Sequence, residues 1–580
     1  MLWRGDVMNE AAVRPSAHVL YVNWDGFAFE WYRMVNERYG GTPHLNALIR
    51  DGVLFTRAET GVPAITGAMQ QCIASGAWPA DTGNCYRYYD AASNRVRQYG
   101  RDNRLENIAE AAVRHGIRTA AVHAWYFQQR GTWEGDETNP YFHEEWPSSF
   151  SRRTDLLLRI IRGQPVVSGG RKIVFRQMPR FLAIYGDDLD GAAHNGNVDY
   201  LGLKRADTRR QWLDNIAATL MRLDDDLGRI MQALKETGMD RRTTIVLTTD
   251  HGMVPYGAGD RDLSGGVPAE ARTSLHDLAE TVAEAGVAVR GERFRVECLF
   301  RDGESAREET DIVVTPVVLQ AQIRFRRPLP DAAVQEIVAR LRSKPYYGAH
   351  LTNDELVMRG TADDYADLLV SARPPHHFRP DSPDDVRLVG GNHDSLDGGV
   401  RHIFSLLYGA HVRKGIRIDR KVTIADVAPT IARLLGFEGP AGAVGTALDE
   451  ALEEPLRGPA LEVAPVPDRG GADLPPNGDG EPEGGAGAES AGQPAEMRGY
   501  VTVGEKADAV TLAGISAPCA HVSVNAGPRV SAGADGRFAI RHPLAPGMNR
   551  LVVEAEAGGR KTRRTLFVKR LTNGSSVTSS

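Results

Sequence analysis

Four short runs of almost unbroken apolar residues, AHVLYVN (17–23), TAAVHA (119–124), FLAIYG (181–186) and TTIVLTT (243–249), constrain this chain more than any other feature. A strand with one wet face alternates apolar and polar side chains, whereas a run without a polar face is covered on both sides. Between the last two runs, Trp212, Ile216, Leu220, Leu223, Leu227, Ile230 and Leu234 recur at spacings of three and four. That period predicts a long amphipathic helix. Strands alternating with helices in this way predict an α/β fold, a doubly wound and mostly parallel sheet. The pattern resumes with HIFSLLYG (402–409), read as one strand, and with a helix in ADVAPTIARLLG (425–436).

The intervening sequence divides the chain. Residues 17–253 and 386–450 are read as one α/β domain, and 254–385 as an inserted α+β cap with strands in DIVVTPVVLQAQIRF and a helix near DAAVQEIVARLRS. Residues 457–496 contain 16 Gly or Pro among 40 positions and carry eight acidic against two basic side chains, the composition of a flexible acidic linker. Short alternating runs separated by turn signals then predict a β-sandwich module over 497–570.

The net charge of -6 over 580 residues shows no basic excess, so sequence-specific nucleic-acid binding is not expected. No run approaches the length of a membrane span. The first residues lack the apolar core of a signal peptide, so the chain as written is expected in the cytoplasm, or exported if its N-terminus is truncated or mis-assigned. Cys72, Cys85, Cys298 and Cys519 form no metal-binding spacing and read as buried free thiols.

In open α/β sheets functional groups gather beyond the carboxyl ends of the strands. The first run ends at Asp25, the third leads to Asp190 and His194 four residues apart, and the fourth ends in TTDHGM, which holds Asp250 and His251. His393 lies in the Gly-rich GGNHDS just before the 402–409 run. Carboxylates and imidazoles in this number can supply oxygen and nitrogen ligands to two first-row metal ions.

These residues in this order resemble the alkaline phosphatase superfamily, and within it the type I phosphodiesterase and nucleotide pyrophosphatase branch. The family has a nucleophilic Thr in P-x-x-T followed by T-G-x-x-P; here Pro63 and Thr66 are followed by Ser75-Gly76-Ala77-Trp78-Pro79, with Ser in place of the second Thr. The resemblance implies that Asp190, His194 and His393 bind one metal, and that Asp25, Asp250, His251 and the Thr66 oxygen bind the other. It implies two divalent ions, zinc or else manganese, and a covalent phospho-enzyme on Thr66. Where the family carries H-G-I-x-x-N, this chain reads Thr82-Gly83-Asn84-Cys85-Tyr86-Arg87, so Arg87 stands at the position of a phosphate-contacting Asn, with Asn84 nearby. Gly67-Ala68-Met69 replaces a frequent Phe-Pro-Asn. The sulfatase signature C/S-x-P-x-R is absent from Cys72-Ile73-Ala74-Ser75-Gly76. Residues 497–570 resemble bacterial immunoglobulin-like modules, which leaves a glycan, a cell surface or a protein as the partner class open to them.

The reading is a two-metal hydrolase of a small phosphate-ester substrate with Thr66 as nucleophile and Arg87 and Asn84 as substrate-binding residues. A phosphomonoesterase, favoured by Arg87, is the alternative within enzymes. A catalytically silent metal-binding or adhesive protein is the alternative from another class.

Overall fold

The computed structural model describes residues 16–453, 461–466, 500–504, 506–558 and 560–571. Its centre is an eight-stranded sheet. The labelled strands are β1 (His18–Trp24), β2 (Val53–Phe55), β3 (Thr119–Val122), β4 (Tyr141–Phe142), β5 (Phe181–Gly186) and β6 (Thr243–Thr248). The spatial order is 416–418, β2, 406–409, β6, β1, β5, β3, β4. β1 pairs in parallel with both β5 and β6, and β5 with β3, so the four apolar runs are the four adjacent central strands.

β1 shows why such runs have no polar face. Leu20, Val22 and Trp24 enter one apolar cluster, shared with the helices 29–38, 150–161 and 209–236. Val19 and Tyr21 enter the opposite cluster, with the helices 66–75 and 427–435. Three helices matter for the site: α1 (Thr66–Ser75), α2 (Asp188–His194) and α3 (Arg209–Glu236). α3 starts at a reciprocal cap, in which Thr208 Oγ1 accepts from Gln211 N and Gln211 Oε1 accepts from Thr208 N, both at 3.2 Å.

The 402–409 run is not one strand. His402–Ile403 pairs with Ala58–Glu59, and only Leu406–Gly409 joins the main sheet, antiparallel to β6. Between them Phe404 N turns aside to Phe27 O at 3.1 Å, which breaks the register that uninterrupted apolarity implied.

Val254–Tyr256 pairs with Gly390–Asn392, and the chain between builds a second sheet in the order 296–298, 312–316, 320–325, 368–372, 347–352. Helices 275–290 and 331–342 pack on this sheet around a separate apolar cluster, the α+β composition anticipated for the insert.

Beyond residue 500, two sheets share one apolar cluster. Leu461–Val466 belongs to the smaller sheet, pairing residue for residue with Val466↔Thr511 through Leu461↔Ser516. The linker assignment over 457–496 is therefore wrong at these six positions: a short strand alternating Leu461 inward and Glu462 outward was hidden by the Gly/Pro density around it. Pro465 is tolerated because this is an edge strand. The rest of that span, like the N-terminal residues 1–15, lies outside the described residues. The module contacts the main body through Arg550 to Asp81 at 2.8 Å, Lys569 to Asp354 at 2.5 Å, and Arg563 to Ala443 O.

Cys72 and Cys85 are buried as expected, but Cys298 is half-buried and Cys519 is exposed in the β module, where a small sheet offers less interior. Among the described residues no helix is long and apolar enough to cross a membrane.

Candidate active site

The carboxyl ends of β1, β5 and β6 lie side by side, so their following residues converge although they are far apart in sequence. Asp25 follows β1, Asp190 and His194 lie on α2 after β5, and Asp250 and His251 follow β6. His393 comes from the return strand 390–392.

His251 is the hub. Its Nε2 lies 3.4 Å from Asp25 Oδ1, 3.4 Å from Asp250 Oδ2 and 3.1 Å from Thr66 Oγ1. Its ring stacks on His393 with centroids 3.7 Å apart. On the other side, Asp190 Oδ1 lies 3.3 Å from His194 Nε2 and 3.9 Å from His393 Nε2. Two groups of donors are close enough to share an ion: Asp25, Asp250 and His251, and Asp190, His393 and His251. His251 thus stands between both groups, whereas His194 reaches the second through Asp190.

All three histidines are oriented alike. Nδ1 faces a backbone carbonyl in each: Gly252 O at 3.0 Å for His251, Gly391 O at 3.1 Å for His194 and Ala64 O at 2.8 Å for His393. A carbonyl only accepts, so Nδ1 carries the proton and the lone pair of Nε2 points at the carboxylates. Burial pushes the basicity of His251 down to about 4 and that of His393 to about 3, the second helped by His251 itself.

The carboxylates are short of partners. Asp25 Oδ1, Asp190 Oδ1 and Asp250 Oδ2 are buried without a hydrogen bond. Desolvation, then the charges of Asp250 and Asp190, push Asp25 well above the carboxylate range, and desolvation raises Asp250 to about 6. Asp190 goes the other way: burial would raise it, but His194, His393 and His251 outweigh that and hold it low. His194 differs from the other two: burial would lower it, but Asp190 outweighs that and raises it. Buried carboxyl oxygens without partners beside imidazole nitrogens are the donor set that divalent cations complete.

Thr66 is the first residue of α1, and Ile65 is its N-cap. The Thr66 hydroxyl is thus not engaged in capping; it faces His251 at the positive end of the helix. α1 is tied to the sheet by buried amides, Asn23 Nδ2 donating to Gln70 Oε1 at 2.7 Å.

Asn84 and Arg87 sit differently. Asn84 is fully buried, its Nδ2 donating to Gly100 O at 3.1 Å and Asp102 O at 3.0 Å while its Oδ1 accepts from Tyr86 N at 3.0 Å. These bonds fix the 100–102 loop, and the same Nδ2 lies 3.5 Å from Gly67 O, next to Thr66. Arg87 lies in the hairpin 87–98, where its Nε donates to Gln98 Oε1 at 3.0 Å. The sequence reading missed Tyr185, whose hydroxyl donates to Asp25 Oδ2. A lone Tyr near the end of an aliphatic strand was its only signal.

A family model described as type I phosphodiesterase/nucleotide pyrophosphatase matches residues 19–311, half of the chain. The chain belongs to that family. Its members are metal-dependent phosphoric ester hydrolases, and the matched span includes Asp25, Thr66, Asp190, His194, Asp250 and His251. His393 lies beyond it and is brought in by the fold.

Among curated relatives, a protein named calcium-transporting ATPase from Myroides odoratus is 24% identical over 267 residues, 44% of this chain and 45% of that protein. The family member thus spans less than half the length of that curated relative. Among solved structures, human ectonucleotide pyrophosphatase/phosphodiesterase 5 aligns with a TM-score of 0.48 at 15% identity, covering 75% of this chain and all of that one. The murine protein of the same name aligns at 0.47 and 16%, covering 73% and 96%.

Proposed function

We propose that this phosphoric ester hydrolase is a two-metal phosphodiesterase of the nucleotide pyrophosphatase type, with Thr66 as its nucleophile. The observation that carries the reading is the 3.1 Å approach of Thr66 Oγ1 to His251 Nε2, beside buried carboxylate oxygens that lack hydrogen bonds. Asp25, Asp250 and His251 would hold one ion, and Asp190, His393 and His194 the other, with zinc the first choice and manganese the alternative. When bound, such ions lower the pKa of a coordinated hydroxyl and neutralise phosphoryl charge.

The chain's own groups account for the rest. The N-terminus of α1 favours the phosphoryl anion beside Thr66. Thr66 Oγ1 gives up its proton to solvent and attacks phosphorus opposite the leaving oxygen; the Oγ1–P bond forms as the bond to the leaving group breaks, and that group departs as its alcohol with a proton taken from solvent. Water then attacks the phosphorus of the threonyl ester, which still carries the other ester group; the P–Oγ1 bond breaks, one proton of the water restores the hydroxyl and its oxygen leaves on the monoester product. Tyr185 holds Asp25 through its second oxygen, leaving Oδ1 directed at His251.

Thr66→Ala tests the reading. The side chain is only half-buried, so the fold survives while turnover of an aryl phosphodiester falls about a thousandfold or more. A variant with near wild-type turnover would end the covalent mechanism.

A further inference from the structure

The loop that carries His393 is gripped by the insert. The next residue, Asp394, is 1% exposed, and its Oδ2 accepts the N–H groups of Val318 and Leu319 at 2.8 Å and of Gln320 at 3.2 Å. These consecutive amides form the turn between strands 312–316 and 320–325, closed by Val317 N to Gln320 O at 2.9 Å. Three amides converging on one carboxylate oxygen make a strong charge-assisted anchor.

The same turn is fixed from every side. Leu319 is fully buried against Ala64, Val254 and Val400. Its carbonyl accepts from Ala372 N at 2.7 Å, and that of Val318 from Phe378 N at 2.6 Å. Ala64 stands two residues before Thr66, and its carbonyl accepts from His393 Nδ1. Further along the loop, Ser371 Oγ meets Ser395 Oγ and Leu396 N, both at 3.1 Å. One turn of the insert is therefore wedged against both the histidine loop and the segment leading to the nucleophile.

We infer that Asp394 is a positioning residue: its hold on the Val318–Gln320 turn fixes the loop presenting His393, which makes the insert part of the metal-binding half of the site and not a separable lid. The inference rests on the two-metal reading above.

The test measures zinc affinity of the full chain by chelator competition. Asp394→Ala lowers that affinity about ten- to hundredfold, the usual effect of losing a partner that orients a ligand, and Asp394→Asn, which keeps an oxygen acceptor, recovers most of it. Asp367→Ala is the control. Asp367 accepts from Phe325 N at 2.7 Å and pairs with Arg324 in the same sheet, so its loss loosens the insert without touching the His393 loop and leaves zinc affinity within about threefold.

A second readout needs no variant to fold. Because coupling is reciprocal, saturating zinc slows hydrogen exchange at Val318, Leu319 and Gln320 of the wild-type chain. Unchanged affinity in Asp394→Ala, equal losses in Asp394→Ala and Asp367→Ala, or turn amides indifferent to zinc would each overturn the inference. A wild-type chain that binds neither zinc nor manganese overturns the metal reading first, and the inference with it.

Discussion

Gly26, directly after Asp25, offers a sharp test of how closely the two halves of the site are fitted. It has a φ of +77°, and a Cβ added there would lie 3.1 Å from Asp190 Cα, 3.2 Å from Asp190 Cβ and 3.2 Å from Asp190 N. Carbon atoms in contact prefer at least about 3.5 Å, so Gly26→Ala must force Asp25 and Asp190 about 0.4 Å apart. The left-handed backbone adds about 1–2 kcal/mol of strain for an L-residue, and crowding brings the total destabilisation to about 2–3 kcal/mol. If a displacement of 1 Å costs about a hundredfold in rate, 0.4 Å costs about fivefold to tenfold. Gly40→Ala separates the two effects, because Gly40 has a φ of +95° with nothing within 4 Å. It should lose about 1–2 kcal/mol and no activity. Urea unfolding gives the stabilities, and kcat/KM on an aryl phosphodiester with added zinc gives the rates. Full activity in Gly26→Ala, or the same rate loss in Gly40→Ala, would refute the argument that the close approach of Gly26 to Asp190 sets the geometry.

Three further outcomes are expected. Arg153 is fully buried, paired with Asp187 at 2.8 Å and donating to Tyr185 O and Ser148 O, so Arg153→Ala should cost about 3–5 kcal/mol in urea unfolding; a loss below 1 kcal/mol would show that these groups find other partners. His377 is fully buried, and burial depresses it from 6.5 to about 4, so the unfolded chain binds a proton there that the folded chain does not. Its contribution is complete above pH 6.5 and falls by about 3 kcal/mol as pH drops to 4, and His377→Gln should flatten the stability profile in that window; an unchanged slope would contradict it. Truncation after Leu456 should keep turnover on a small diester while removing the Arg550–Asp81 pair, so melting temperature falls but kcat does not; lost turnover in a folded truncation would show that the module completes the site.

The central fold was legible because burial on both faces leaves a plain mark: TTIVLT needs no partner to be recognised as an interior strand. Asp25, Asp190, Asp250 and His251 were legible for the same reason, since each stands within a few residues beyond such a run, whereas His194 lies a helix further on and His393 precedes its run. Pairings between distant backbone groups left no such mark. Nothing in GGNHDS announces that His393 will bond to Ala64 O, and nothing around Asn84 announces that its amide will donate to Gly100 O and Asp102 O. The split at Phe404 and the strand at 461–466 were lost to averaging, one inside an apolar run and the other inside a Gly/Pro-rich one.

The order in which the chain emerges during synthesis gives the sheet topology a further consequence. β6 gains its outer neighbour only from residues 406–409, after the whole insert has been made. At roughly 5–20 residues per second, Asp25 precedes His393 by on the order of 20–70 s. During that interval the buried carboxylates of β1, β5 and β6 stand together without the last imidazole, and one edge of the parallel core is open. The insert has its own apolar cluster and can close first, but the open edge of β6 is covered only when residues 406–409 arrive. Nascent chains stalled before residue 390 should therefore engage holding chaperones, and release should coincide with synthesis of the 390–409 segment.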